Sequence, residues 1–364
     1  MENRRDFIKT SAVLGVFGLL HQWASAIPLT DKHGSILPQR RLTRDGQTVT
    51  AFCLGGWHLG NTGNPAISEK MVEMCMDRGV RFFDNARGYH NGGSEELMGR
   101  FLVPKYRDQI FLMTKSHAKT GQEAKEHLEL SLKALRTDHL DLWQIHTLET
   151  PDDVDRRIES GVLDVFLEAK QKGQTRYIGF TGHRNPLTHL HFLKRIDELG
   201  LELDTCQMPL NALDPSFESF QKQVVPVLLQ KEYGILAMKT MSGGSMMGKR
   251  IDTTPPEIAT EMIPDMVSET GISFAELHQY VYALPVSALV SGCNTPQELD
   301  HNIGVLQNLK KLSETDMHRL EGVVNPYTGG IVENYKRILQ KTDQGYKMIM
   351  DLNSRDLKDG VPRK

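Results

Sequence analysis

Cysteine is scarce in this chain. Four occur in 364 residues, Cys53, Cys75, Cys206 and Cys293, and no two stand as a CxxC pair. Their wide spacing and apolar neighbours read as buried free thiols, not as a disulfide framework or a thiolate metal site. Basic blocks are missing as well: 43 Lys and Arg stand against 46 Asp and Glu, for a formal net charge of −3. Without a basic stripe, nucleic acid is excluded as a partner. No apolar run is long enough for a mature membrane span, so no stable membrane anchor is expected. Nor does a Pro/Ser-rich linker divide the chain. What is present, 39% hydrophobic and 24% charged residues, suits one large α/β barrel or two ordinary domains with a sizeable core.

Residues 1–26 stand apart from the rest. Arg4-Arg5 precede Asp6-Phe7-Ile8-Lys9, an apolar stretch follows from Ser11 to Leu20, and Ala24-Ser25-Ala26 closes the segment. A charged start, a short apolar middle and a small-x-small site make an export signal. The paired arginines, with Phe7 two residues on, resemble a twin-arginine signal. The expectation is therefore a signal peptide over 1–26, export through the twin-arginine machinery and an extracytoplasmic location. Residues 27–364 form the working part, with a core over about 40–325 and a C-terminal extension over 326–364.

From Ala51 onward, apolar runs alternate with amphipathic stretches. Strands are expected at Ala51–Leu54, Val80–Phe83, Ile110–Thr114, Leu140–Ile145, Arg176–Phe180, Leu203–Gln207, Gly234–Met238 and Ala288–Ser291, with helices between them. The stretch from Phe217 to Lys231 reads as a single helix, and Ser273/Glu276 and Ser313/Asp316 form capping boxes. Eight strands alternating with helices predict a (β/α)8 TIM barrel. The polar segment Ile36–Val49, turning at Gly46, is expected as a hairpin across its bottom. The loop Lys239–Gly271 and the tail beyond Asn325 are long enough to wall the opposite rim.

Four polar residues end three of these runs: Asp84, Tyr89 in the following turn, Lys115 and His146. Asp84 and Lys115 lie 31 positions apart, as do Lys115 and His146. That spacing is about one βα unit, so the four reach one rim of a barrel, the rim where such enzymes place their chemistry. Reduction of a carbonyl needs a hydride on one face and a proton for the developing alkoxide. Tyr89 can supply the proton if its pKa falls well below the usual value of about 10, and an adjacent Lys115 ammonium pulls it down. Asp84 positions the lysine, and His146 orients the substrate oxygen. Singly, Asp84 with Lys115 reads as a structural ion pair, Tyr89 as a loop aromatic and His146 as a core histidine.

The ordered set Phe82-Phe83-Asp84-Asn85-Ala86-Arg87-Gly88-Tyr89, Ser94-Glu95-Glu96-Leu97-Met98-Gly99, Ser131 through Leu142 running to His146, and Lys172-Gly173-Gln174-Thr175-Arg176-Tyr177-Ile178-Gly179 resembles the aldo-keto reductases. The likeness runs from about Arg40 to Leu309. It implies a catalytic tetrad of Asp84, Tyr89, Lys115 and His146, a small carbonyl or alcohol substrate, and a nicotinamide cofactor. By the same resemblance Gly56 borders the cofactor, Thr181 and Gln207 face the nicotinamide amide, Met238 replaces the usual stacking tyrosine and Lys239 meets the pyrophosphate. Gly182 stands where the family has a bonding asparagine. Trp57 falls at the substrate pocket, and His58 and His117, from their places after strands one and three, are expected as substrate contacts. The adenosine end falls to Gly292, Thr295, Glu298 and Asn302. NADP-using relatives carry Lys and Arg there for the 2′-phosphate; Gly292 and Glu298 occupy those places here. A carboxylate repels a phosphate and accepts from ribose hydroxyls, so NAD(H) is expected over NADP(H).

Two other functions fit parts of the pattern. His58, His90, His117, His146 and His183 follow strands one to five in turn, as ligands do in metal-dependent barrel hydrolases and isomerases. As substrate contacts, the same histidines hint at a hydroxyl-rich ligand such as a sugar. A non-catalytic nicotinamide-binding subunit is the third reading, favoured by Met238 and opposed by the complete tetrad.

Overall fold

The computed structural model describes residues 29–250 and 254–352; the expected export signal lies outside them. Eight strands close into one parallel barrel. In chain order they are Phe52–Gly55, Phe82–Asp84, Phe111–Ser116, Leu140–Ile145, Thr175–Thr181, Thr205–Pro209, Gly234–Met238 and Ala288–Ser291. Each pairs in parallel with its neighbours, and the last closes on the first through Val290 opposite Cys53. The (β/α)8 expectation holds, with strand ends shifted by one or two residues.

Period-two alternation sorts every strand between two cores. One set of side chains fills the barrel: Cys53, Phe82, Phe111, Met113, Leu142, Tyr177, Leu236 and Ala288. Leu42 and Val49 join this interior. Val49 lies in, and Leu42 just beyond, the antiparallel pair Gln39–Arg41 and Thr48–Thr50, which closes the N-terminal end as expected. A second short pair, Thr30–Asp31 with Gly34–Ser35, precedes it. The other set, including Phe83, Leu112, Trp143, Ile178 and Ile235, packs outward against the helices. Inward parity therefore also determines which polar residues crown the interior: two positions beyond Phe82, Met113 and Leu142 stand Asp84, Lys115 and Gln144, and two beyond Gln144 stands His146.

Helix starts obey a recurrent rule. Asn64, Thr150, Asn185 and Thr295 each cap a helix whose first residue is proline, and each side chain accepts a backbone N–H of the first turn. Ser273 and Ser313 form both expected capping boxes.

The structure departs from expectation in two places and adds a hairpin to the tail expected over the rim. The helix expected over Phe217–Lys231 is two short ones, Phe220–Gln223 and Val225–Gln230, because Pro226 lacks the N–H that would carry a continuous helix. A helix at Pro151–Glu159 follows strand four. The tail folds back over the C-terminal rim and ends in a hairpin, Ile338–Thr342 with Gly345–Ile349. In the tail, Lys336 Nζ reaches Asp214 Oδ1 at 2.7 Å, Glu333 Oε1 at 2.9 Å and the Phe217 carbonyl at 2.6 Å, with all three charged side chains fully buried. Asn334 donates to Ser245 and Asn211 to Tyr335, both at 3.0 Å. The tail is thus tied to the loops after strands six and seven. A cavity of about 290 Å³ beneath it, lined by Phe217, Glu218, Thr328 and Ile338 among others, contains no residue of the tetrad. Among the described residues no helix is long and apolar enough to cross a membrane.

Removing one member of a buried ion cluster leaves charges stranded in a dry site. Lys336→Ala is expected to lower stability by about 3–5 kcal/mol, read as a reduced urea midpoint, and to open the tail to limited proteolysis.

Candidate active site

Asp84 ends strand two and Lys115 lies one residue before the end of strand three, both pointing inward. Their side chains are buried and in direct ion-pair contact. The ammonium also donates to the Asn85 carbonyl at 2.8 Å and to Tyr89 Oη at 3.4 Å. Burial pulls the Lys115 pKa down, but attraction to Asp84 and Tyr89 outweighs it, and the net direction is upward. Burial pushes Asp84 upward too, against Lys115, so the two contend for protons. The close contact and a further bond from the Gly56 amide to Asp84 favour the ammonium–carboxylate form.

Tyr89 reaches this pair through a turn braced from several sides. Arg87 N donates to the Lys115 carbonyl at 2.9 Å, and the Arg87 guanidinium meets buried Glu95 at 2.6 Å. Glu95 accepts from Thr114 at 2.6 Å. His90 and Asn91 take φ of 50° and 55°, a region that favours short polar residues, and the chain then enters the helix Gly93–Phe101. His90 Nε2 lies 2.7 Å from the Trp57 carbonyl, so His90 fastens the first loop to this turn. The Trp57 ring meets the Tyr89 ring edge-on at 5.3 Å, and His146 lies at 5.7 Å on a similar T-shaped approach.

All four tetrad residues therefore converge, with Trp57 beside them. The expected acidic phenol is not what the structure produces. Burial pushes Tyr89 up to about 12, and Lys115 only partly offsets this. The phenol consequently keeps its proton throughout the neutral range. Burial, then Lys115, drives His146 well below an ordinary histidine, so the imidazole is neutral.

Further round the rim, Thr181 and Gln207 stand side by side in register on strands five and six. Thr181 Oγ1 and Gln207 Oε1 are buried without a hydrogen-bond partner. One hydroxyl and one amide oxygen left open together match a carboxamide, which both donates and accepts. At the end of strand seven, Met238 and Lys239 are partly exposed. Lys239 has no carboxylate partner among the described residues; burial, with Arg184 nearby, holds it down to about 8. An unpaired cation at this depth suits an anion such as a pyrophosphate. These observations fit a nicotinamide dinucleotide. Gly56 is closely enclosed: a Cβ there would meet the Asp84 carbonyl at 2.6 Å.

The adenosine-side residues are built differently from one another. Gly292 admits the His58 ring, whose Nδ1 would lie 2.2 Å from a Cβ at that position, so no longer side chain fits beside it. Thr295 caps the helix Pro296–Gln307 through the Glu298 amide. Glu298 Oε2 accepts from Asn294 N at 2.8 Å and is partly committed to that turn. Asn302 is buried and donates to Ser291 Oγ at 3.0 Å and to Cys293 Sγ at 3.3 Å, so its amide nitrogen faces inward. His117 is exposed, against Gly88, with its ring 4.6 Å from that of His127 and tilted to it. Of the five rim histidines, His90 thus has a structural partner and His58 packs on Gly292.

Several contributors escape sequence reasoning. Asn85 supplies the ammonium's carbonyl contact. Arg157, on the helix Pro151–Glu159, donates to the His146 and Thr147 carbonyls at 2.8 Å each and holds the histidine loop. Its only sequence signal is the start Thr150-Pro151-Asp152-Asp153. Tyr335 brings its ring to 6.3 Å from His183 and 5.7 Å from Lys239 Nζ. It lies far along the chain and carries no motif.

The structure is thus a closed parallel barrel with a Lys–Asp–Tyr–His group at its C-terminal rim. The model of the Aldo/keto reductase family matches residues 51–325, and the chain belongs to that family. It is 25% identical over 315 residues to the uncharacterised oxidoreductase YqkF of Bacillus subtilis (strain 168), covering 78% of this chain and 95% of that one. It is 23% identical over 316 residues to the L-galactose dehydrogenase of Arabidopsis thaliana, covering 79% and 94%. Among solved structures, the aldo-keto reductase AKR11C1 from Bacillus halodurans in its holo form aligns with a TM-score of 0.63 at 20% identity, over 78% of this chain and 95% of that chain, a likeness of fold. The chain is an aldo-keto reductase family oxidoreductase, and enzymes of this family use NAD(P)(H).

The raised phenol has a direct readout. In an ultraviolet difference titration of the cofactor-free protein against Tyr89→Phe, no phenolate signal is expected until pH approaches 12; a transition below pH 9 would show that Lys115 dominates burial.

Proposed function

We propose that this chain interconverts a carbonyl and an alcohol, with Tyr89 as the proton donor and acceptor and NAD(H) as the preferred cofactor. The observation that carries the reading is the contact of Lys115 with Asp84, Asn85 and Tyr89 at the inner end of the barrel strands. When bound, the nicotinamide supplies or accepts the hydride. Thr181 and Gln207 would hold its carboxamide, Met238 would take the place of the usual aromatic, and Lys239 would meet the pyrophosphate. Tyr89, protonated at neutral pH, gives its proton to the oxygen that becomes the alcohol. Lys115 stabilises the phenolate left behind, and Asp84 keeps the ammonium charged and aimed. Neutral His146 donates one hydrogen bond to the same oxygen and sets its orientation. Trp57, His58 and His117 border the substrate.

The preference for NAD(H) rests on the segment Ser291–Asn302, which contains no Lys or Arg, and on Glu298 at the first turn of its helix. A 2′-phosphate would meet a carboxylate there instead of a guanidinium. For the substrate, the histidines at the rim and the likeness to an L-galactose dehydrogenase support a hydroxyl-rich molecule of the sugar class. The pattern of residues 1–26 supports export of the folded enzyme by the twin-arginine route, which cell fractionation with Arg4→Lys/Arg5→Lys as the blocked form tests directly.

Tyr89→Phe is expected to reduce kcat by about 10²–10⁴-fold while leaving NADH binding, followed by fluorescence, nearly unchanged. Equal turnover in the variant would remove Tyr89 from the reaction. Because the phenol titrates so high, oxidation of the alcohol, which needs phenolate, should accelerate steadily from pH 7 to 10 while carbonyl reduction changes little. Titration with both cofactors should show tighter binding of NADH than NADPH, with Glu298→Lys narrowing or reversing the gap; tighter NADPH binding by the native chain defeats the assignment.

A further inference from the structure

Beside the tetrad, one group of potential ligands comes together, of which the reductase reading gives Glu123 and His127 no role. His117, Glu123 and His127 each present an atom, and all of these atoms lie within 4.8 Å of one another. We propose that these three side chains form a binding site for a divalent transition metal ion of the zinc class.

The site is assembled from a short stretch of chain. Glu123 and His127 are four residues apart on the helix Gly121–Leu135, so they share a face. His127 Nε2 lies 3.8 Å from Glu123 Oε1. His117 comes from the loop after strand three, and its ring lies 4.6 Å from that of His127, tilted by 44°. Tetrahedral ligands about 2.0–2.1 Å from a zinc ion stand roughly 3.4 Å apart, so closure needs side-chain shifts of only about an ångström. Two imidazoles and one carboxylate are a donor set for zinc-like ions, whereas calcium and magnesium prefer oxygen alone.

Two of the ligands are already oriented by outer contacts. His127 Nδ1 lies 2.8 Å from Ser116 Oγ; donation to that hydroxyl leaves Nε2 bare and turned toward Glu123. Glu123 Oε2 accepts from the Lys119 amide at 2.7 Å, which leaves Oε1 for the metal. The surrounding cations are engaged elsewhere. Arg87 is paired with Glu95 at 2.6 Å, Arg157 with Asp153 at 3.0 Å, and Lys119 with Asp153 at 2.8 Å. A dication therefore meets ligand charge from Glu123 without an unneutralised guanidinium facing it. Bound there, the ion would fasten the loop after strand three to the following helix, beside Gly88 and so beside the turn that carries Tyr89.

The test uses full-length protein without an affinity tag, freed of metal by chelation and dialysis. Co²⁺ is titrated by its visible absorption and Zn²⁺ by calorimetry. One equivalent per chain is expected. His117→Ala, Glu123→Gln and His127→Gln should each weaken it at least tenfold. Zn²⁺ should raise the melting temperature of the native chain and not that of the variants. The unliganded melting temperature of each variant shows whether it has kept its fold; His117 is exposed, so its substitution serves as the variant least able to disturb packing. Absence of saturable binding, or affinities within threefold across the native chain and the folded variants, overturns the proposal. Because the readout is metal binding and not turnover, the result is independent of the role of Tyr89.

Discussion

One ammonium organises the working end of this protein. Lys115 is carried into the barrel interior by the parity of strand three, where water is excluded and an isolated charge is untenable. Asp84 from strand two answers it, the Asn85 carbonyl supplies a second contact, and Tyr89 completes the set. All three partners arrive on the stretch that leaves strand two, so the ion pair exists only when strands two and three are in register. Equally, the register would leave one unpaired charge in a dry interior if either residue were changed. Chemistry and folding are therefore coupled at the same atoms, and the turn from Asn85 to Gly92 is braced by Arg87, Glu95, Thr114 and His90 because the phenol must end within reach of that ammonium.

Burial determines how this site titrates. Close contact between a phenol and an ammonium suggests an acidic tyrosine, but desolvation works harder than the neighbouring charge, and Tyr89 rises to about 12. The same desolvation keeps His146 neutral and pulls Lys239 down to about 8. The consequence is a site with a protonated phenol, a neutral imidazole and, at Lys239, a cation without a carboxylate partner among the described residues. Around the rim, the oxygens of Thr181 and Gln207 are left open and the His58 ring closes on Gly292, the places the proposed cofactor would occupy. The buried Lys336–Asp214–Glu333 cluster fastens the tail on the side of strands six and seven and brings Tyr335 over Lys239.

Much of this was legible beforehand. Eight apolar runs, two capping boxes and the hairpin bottom follow local rules of periodicity and capping, and all reappear. The tetrad was legible because each member ends a run or follows one immediately, so its place on the rim follows from the strand it belongs to. The break at Pro226 was also written in the residues, although periodicity across Phe217–Lys231 masked it. Other features had little or no local signature. Arg157 acts on the backbone of a loop eleven residues away, and Tyr335 reaches strand seven across nearly a hundred residues of chain. Glu298 and Asn302, which look alike as polar residues of one segment, have different surroundings: one caps a turn at the surface and the other is turned into the core.

By itself, the order of residues determined the alternation of strand and helix, the inward parity that lifts Asp84, Lys115 and His146 above an apolar plug, and the residue types available for proton transfer. These depend on interactions a few positions apart. Only the tertiary structure decided the protonation of Tyr89, the partners left open on Thr181 and Gln207, the fold of the tail over the rim and the meeting of His117, Glu123 and His127. Those depend on how much water is excluded and on which atoms from other segments arrive to replace it. A one-dimensional pattern does not contain that information until the chain has closed.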